Sequence, residues 1–551
     1  MIARPTCVIV LSLAMVSQNA PAPKSQTGFR IAGTVVDSLT RQPLPGARVS
    51  IFASENPEFS QRVVADAVGR FDFSALPAGK YTLIASTQGY RSQGYHQHDD
   101  YFIGIAVGPD LDSEHIAFRL VADARIEGAV TDEDGEPVRN ANVQLYQRTH
   151  ETGRQSTRQV FSAVTDDRGH YLFSHLGPGT YFIAVSARPW YAQYPNPGEP
   201  APAPAEAARI AEERTRLDTA YPLTFYPSAE DSSGATALVL HPGDRATADI
   251  TMRAVPAVHL RVKTGESAER KDGITVQRGF PRVSQRIFEG TMVSVMSSQG
   301  FSASAGTYEY TGLAPGRYVI EMPSSGGKPG GGWYKEMDLN GTLEIDASEN
   351  PPLASVSGTL TLEGAPRPGG KIFVILANRR SSETLAAEVT PKGTFDFSEM
   401  EVRPGTYDIV LNMAPGFQIK DIVARGARVN GKTLEVSGGS VQLALIATGA
   451  LGRINGTALR DDTPFAGAMI VLVPRSPTAN LTLFRRDESD SDGTFSLRDV
   501  LPGEYTVIAL ENGWELDWAN PTTLQPYLKS GAPVDLTGSA KLNVKVKVQV
   551  Q

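Results

Sequence analysis

The sequence predicts an all-β chain, a tandem array of five β-sandwich domains with one short helix in an insertion of the second. Three observations lead there. A two-part motif recurs five times along the chain. Short stretches of alternating apolar residues lie between Gly, Pro and Asp turns. The chain has 551 residues, too many for one core, with 41% hydrophobic and 20% charged residues, a globular balance.

Each element follows in order. The chain starts with Arg4 and an apolar run, Cys7 to Val16, too short to span a membrane. Residues 1–20 therefore read as a secretory signal and 21–26 as a linker. Domains are expected at 27–121, 122–254, 255–350, 351–447 and 448–551, a normal size for a small sandwich. The motif runs Gly69-Arg-Phe71-Asp-Phe73 to Pro77-Ala-Gly79-Lys-Tyr81, and Gly169-His-Tyr171-Leu-Phe173 to Pro178-Gly179-Thr-Tyr181. It returns at Gly306 to Tyr318, Gly393 to Tyr407 and Gly493 to Tyr505. The first Gly serves a turn needing positive φ. The aromatic-x-aromatic step sets two large side chains on one strand face. The Tyr ring can bury while its hydroxyl finds a backbone partner. A first strand precedes each motif, at Ile31, Ile126, Val258, Val356 and Ile454, and is most divergent in the third repeat. Asn340-Gly341 and Asn430-Gly431 predict hairpins closing a second sheet. The insertion, 190–227, is Pro-rich from Tyr194 to Pro204 and helix-forming over Ala205–Leu217. Valines 544, 546, 548 and 550 mark a final strand, leaving no C-terminal membrane tail in this reading.

Net charge is −8, against nucleic-acid binding through phosphates. Cys7 is the one cysteine and falls in the signal, so disulfides and thiolate chemistry are not expected. The eight histidines show no zinc-peptidase spacing, and no nucleophile elbow or phosphate loop occurs. His96-Gln-His98-Asp99-Asp100 is the best metal-like cluster, but reads as a solvated loop; a hydrolase using His96, His98 and Asp99 is the remotest alternative. Asp487-Glu-Ser-Asp490-Ser-Asp492 and Asp132-Glu-Asp134 could offer oxygens to calcium, but turn chemistry accounts for them. Neither metal nor cofactor is expected. Tyr90, Trp190 and Trp514 each stand nine residues beyond a motif Tyr, which predicts a shared packing position. The less repetitive aromatics, Trp333, Tyr334, Trp518, Tyr191, Tyr194, Tyr221, Phe225 and Tyr226, are the candidate ligand-binding residues.

Gly-x-Val-x-Asp, Pro-x-x-Gly-Ala-x-Val, Asp-x-x-Gly-x-Phe-x-Phe and Leu-x-Pro-Gly-x-Tyr together resemble the bacterial carboxypeptidase regulatory-like domain. The resemblance implies a prealbumin-like (immunoglobulin-like) seven-stranded sandwich, grouped with the carbohydrate-binding-like fold, and no peptidase activity. Isopeptide cross-links of related collagen-adhesin repeats are not expected, since Arg30, Arg125 and Arg453 stand near the first-strand starts and no Lys sits where one is needed. The expected function is non-catalytic binding or scaffolding by a secreted or periplasmic protein, with carbohydrate the first-choice ligand. The alternative is an envelope protein–protein module that docks an enzyme or outer-membrane partner.

Overall fold

Phe29–Asp37 (β1) buries Ile31, Ala32, Val35 and Asp37, and its pairing recurs along the chain. It lies between Arg70–Leu76 (β4), antiparallel, and Ile116–Leu120 (β8), parallel. A second sheet orders Asn56–Val64 (β3), Arg48–Ala53 (β2), Gly79–Ser86 (β5) and then Gln93–Gly94 (β6), with Ile105–Val107 (β7) also on β5. Ile31, Val35, Val49, Ile51, Phe71, Phe73, Leu83 and Phe118 fill the space between the two sheets.

This is a computed structural model. It describes residues 28–150, 153–193, 212–213, 216–263, 268–271, 274–277, 281–288, 290–295, 298–302, 307–322, 333–346, 353–378, 384–397, 400 and 402–551. The expected signal and linker, residues 1–26, lie outside them, as do Gly306, Tyr194 and most of the expected insertion helix. Of that helix Glu212, Glu213, Arg216 and Leu217 are described and helical. Among the described residues no helix is long and apolar enough to cross a membrane.

The β1 plan repeats along the chain. First strands Ala124–Thr131, Val258–Lys263, Ala354–Glu363 and Gly452–Arg460 each pair antiparallel with the aromatic strand and parallel with a later one. Each stretch between them buries its own apolar cluster. We call these stretches the first to fifth units. The divergent first strand of the third unit still forms, since Leu260 and Val262 keep the inward face. The final strand, Lys541–Val550, runs parallel to both Gly452–Arg460 and Gly503–Glu511. One element escaped the sequence reading: a helix over Pro521–Leu528, started by the Asn520 side chain and Pro521.

The motif residues do what their chemistry suggests. Gly69, Gly169, Gly393 and Gly493 have φ of 74–83°. Five buried tyrosines, Tyr81, Tyr181, Tyr318, Tyr407 and Tyr505, each donate a hydroxyl hydrogen bond to the carbonyl four residues earlier. Asn430-Gly431 forms the expected hairpin between Arg428–Asn430 and Thr433–Val436. Asn340-Gly341 does not. Trp333–Leu339 pairs in one sheet and Leu343–Asp346 in the other, so this Asn-Gly carries the chain between sheets. A turn dipeptide specifies a bend, and what it joins depends on the strands' later partners.

Candidate functional site

The His96–Asp100 cluster and the acidic stretch Asp487–Asp492, both singled out in the sequence, meet face to face. The loop Tyr95–Tyr101 of the first unit and the segment Arg485–Gly493 of the fifth form a seam between opposite ends of the chain. The expectation of a solvated loop at His96–Asp100 is corrected here. His96 and Asp99 adopt left-handed φ of 48° and 54°, which folds the loop tightly rather than along a strand. His98 Nδ1 then lies 3.2 Å from Glu488 Oε1, and Asp99 Oδ2 receives Arg486 Nη1 at 3.1 Å.

The turn chemistry at Asp490 explains the rest. In the first two units Asp66 and Asp166 stand at the head of the same turn, and their carboxylates accept backbone N–H groups of their own loop. In the fifth unit a surplus acid, Asp492, takes that task by accepting Thr494 N at 3.0 Å. Asp490 is thereby released to the first unit. Its Oδ1 accepts Gly104 N at 2.9 Å, and its Oδ2 pairs with Lys80. Ser491 adds a backbone bond to Gly104 O at 3.0 Å and a hydroxyl that accepts Ala106 N at 2.9 Å. Lys80 Nζ also reaches Thr494 Oγ1 at 2.6 Å.

Burial governs the electrostatics of this seam. It pushes the Asp487 carboxyl up to about 6, and raises Glu488 and Asp490 despite their cationic partners. It lowers His96, disfavouring the imidazolium. The Arg486 side chain is wholly buried and stands 4.3 Å from the Tyr101 ring centre. Beside these contacts lies a cavity of about 450 Å3, walled by Tyr95, His96, His115, Phe465, Glu511 and Trp514 among others. Among the described residues, no group of three or more His, Cys, Asp or Glu side chains is arranged to hold a metal ion.

The candidate aromatics scatter. Trp518 is 7% exposed, and its indole N–H donates to His150 O of the second unit at 3.0 Å. Phe225 is 1% exposed and packs with Tyr146, Phe182 and Ile287 between the second and third units. Tyr221 is buried and Tyr226 half-buried against the second core. Tyr191 is half-buried. Trp333 and Tyr334 lie on the strand Trp333–Leu339, paired with Met322 and Glu321. Tyr194 falls outside the described residues.

The expected common packing position at Tyr90, Trp190 and Trp514 is not shared. Tyr90 donates its hydroxyl to Asp37, and Trp514 packs on the fifth unit's second apolar cluster. Trp190 is 87% exposed, its ring edge-on to Tyr191. The cause is local. Pro189 opens a turn closed by Ala192 N on Pro189 O, which tips Trp190 outward, whereas Asn512-Gly513 starts a short helical turn that folds Trp514 under. Trp190 stands over a cleft of about 690 Å3 lined by Asp132, Glu136, Arg139, Arg188 and Tyr221. Sequence reasoning set Trp190 aside, and the Pro before it was the available signal.

Residues 30–100 and 125–199 match the carboxypeptidase regulatory-like domain. These two stretches, in the first and second units, are similar to that domain. The matched stretches contain the His96–Asp99 loop and Trp190. No curated protein matches the chain in sequence. Among solved structures it is similar to the Bacillus anthracis TIE protein, at 9% identity and TM-score 0.17, covering 96% of this chain and 76% of that one. It is also similar to GBS52, the minor pilin of Streptococcus agalactiae, at 13% identity and TM-score 0.21, covering 41% and 96%. The major pilin subunit BcpA of Bacillus cereus is similar at 10% identity and TM-score 0.14, covering 77% and 99%. None of these likenesses to solved structures bears on what this chain binds.

Proposed function

We propose that the chain is a non-catalytic binding and scaffold protein of the cell exterior or periplasm, and that it takes carbohydrate at the Trp190 cleft. The exposed indole of Trp190 carries this reading. Its apolar area, 87% exposed, is free to be buried against a ligand, which is where hydrophobic stabilisation would be gained. Indole faces suit the apolar C–H faces of sugar rings. The lining charges, Asp132, Glu136, Arg139 and Arg188, bring hydroxyl-binding donors and acceptors to the same cleft. The test is binding of the full chain to a glycan array and to insoluble polysaccharides. Trp190→Ala is expected to abolish retention while leaving thermal melting unchanged. Equal retention by Trp190→Ala, or no glycan bound by the wild type, sinks the carbohydrate reading.

A second reading, a protein–protein module, is favoured by the open edges. Strands β3 and Ser156–Val164 each stand at a sheet edge, with Val64, Phe161 and Val164 exposed. Sheet edges of this kind accept an added strand, here beyond Thr157, whose carbonyl already accepts the Thr291 hydroxyl. Capture of an envelope protein that survives free sugar but is lost on Phe161→Pro supports this reading over the first.

A further inference from the structure

We propose that the fifth unit is a releasable clasp whose partner is the chain's own first unit, so that the protein exchanges between a closed ring and an open string. The argument is a contrast between two junctions. The second and third units share a buried apolar cluster, in which Tyr146, Phe182 and Phe225 meet Ile287 and Val293. Such a junction behaves like core. Among the described residues, no buried apolar cluster joins the first unit to the fifth.

The seam is held mainly by charge and by hydrogen bonds, Lys80 to Asp490, Arg486 to Asp99, His98 to Glu488, and the backbone of Gly104 and Ala106 to Asp490 and Ser491, with two ring contacts, His98 on Trp514 and Arg486 on Tyr101. The contact with the second unit adds the buried Trp518 indole, whose N–H donates to His150 O, to further hydrogen bonds. Ala519 N donates to Gly153 O at 2.7 Å and Gln155 N to Asp517 Oδ1 at 2.6 Å.

Closure has a cost built into it. Arg486 is buried with Nε and Nη2 lacking a hydrogen-bond partner, and the Glu488 side chain is 1% exposed with His98 Nδ1 beside it. Desolvating ions offsets most of what their pairing returns. The upward shift of the Glu488 and Asp490 carboxyls by burial is the same cost seen from the proton's side. A polar interface with incompletely satisfied buried charge sits near balance, and inter-unit interfaces of this polar type permit relative motion. Asp490 is the lever, because it alone among the turn acids Asp66, Asp166 and Asp490 is excused from its own loop and committed to another unit.

Small-angle scattering of the full chain tests this between about 0.1 M and about 1 M salt, where the screening length falls from about 10 to about 3 Å. The expected result is a compact wild type at low salt whose radius of gyration grows with salt. Asp490→Ala is expected to be expanded already at low salt, with far-ultraviolet circular dichroism unchanged. Lys80→Met serves as the second variant should Asp490→Ala disturb the fifth unit, and is expected to shift the salt midpoint downward. A radius unaffected by salt and by both variants means a permanent junction and overturns the proposal. A wild type already extended at low salt overturns it as well.

Discussion

The imidazole of His98 lies flat on the indole of Trp514, ring centres 4.0 Å apart and planes within 7° of parallel. Glu488 meets the same imidazole through Nδ1, so one histidine bridges an aromatic and a buried acid of the distant unit. His98→Ala removes both contacts and leaves the Glu488 carboxylate buried without its partner, at an expected cost of about 1–3 kcal/mol. Glu488→Gln on top of His98→Ala should recover part of that loss, because the stranded charge is gone. A double-mutant cycle read by thermal melting measures the coupling. Strictly additive effects would show that the pair does not interact.

The five motif tyrosines bond in the same way, so they make a matched set. Tyr181→Phe keeps the ring and deletes the hydroxyl that meets Gly177 O at 2.9 Å. The expected loss is about 1 kcal/mol, as for a single hydrogen bond, and the second unit should carry it. Hydrogen exchange, which reports stability segment by segment, is the proper readout in a chain of several units. Protection lost evenly across all units would contradict an independent role for each tyrosine.

Ala75 has φ of 59° on an exposed stretch of β4, and His175 and Asp499 occupy the same place after their own motifs with φ of 58° and 53°. The third unit has Gly312 there, with φ of 71°. An alanine in the left-handed region costs about 1–2 kcal/mol, and Ala75 is exposed. Ala75→Gly is therefore expected to stabilise the first unit by about 1 kcal/mol, a gain reduced by the entropy of the unfolded glycine. Urea denaturation decides the sign.

Asp487 gives a pH dependence of known direction. Its folded carboxyl is pushed up to about 6 by burial, above its ordinary value of 3.8. A raised carboxyl holds its proton more firmly when folded, so its contribution is complete below about pH 4 and lost as pH rises through about 6. Asp487→Asn keeps an oxygen for Ser496 N and removes the titration. The variant should melt higher than wild type at about pH 8, with the difference vanishing near pH 4. Parallel melting curves across that range would exclude this role.

What the sequence disclosed and what it hid divide along physical lines. Gly69, Gly169 and Gly493 announced left-handed turns because that requirement is local to one residue. The glycines at 33, 128, 358 and 456 were visible as motif letters, but their reason appears only in three dimensions: an added Cβ would collide with the carbonyl of the parallel neighbour, at Ile116, Ala248, Leu443 and Val544. The seam was illegible because nothing periodic links Lys80 to Asp490 or His98 to Trp514. Its one trace was the second acid in Asp490-Ser-Asp492-Gly493, surplus to a turn that needs one. Trp190 misleads because it stands as far from Tyr181 as Trp514 from Tyr505, while the intervening Pro189 redirects the backbone, and backbone direction outweighs count.

The parallel pairing of β1 with β8 fixes how the first unit meets mechanical load. Pulled apart from its two ends, the adjoining strands slide along each other, and the hydrogen bonds from Gly33 to Asp37 are strained together instead of opening one after another. Ala354–Glu363 and Gly439–Thr448 present a longer ladder of the same sense. Once the ring is open, tension should break the fourth unit later than the first, an order that single-molecule force spectroscopy would read directly.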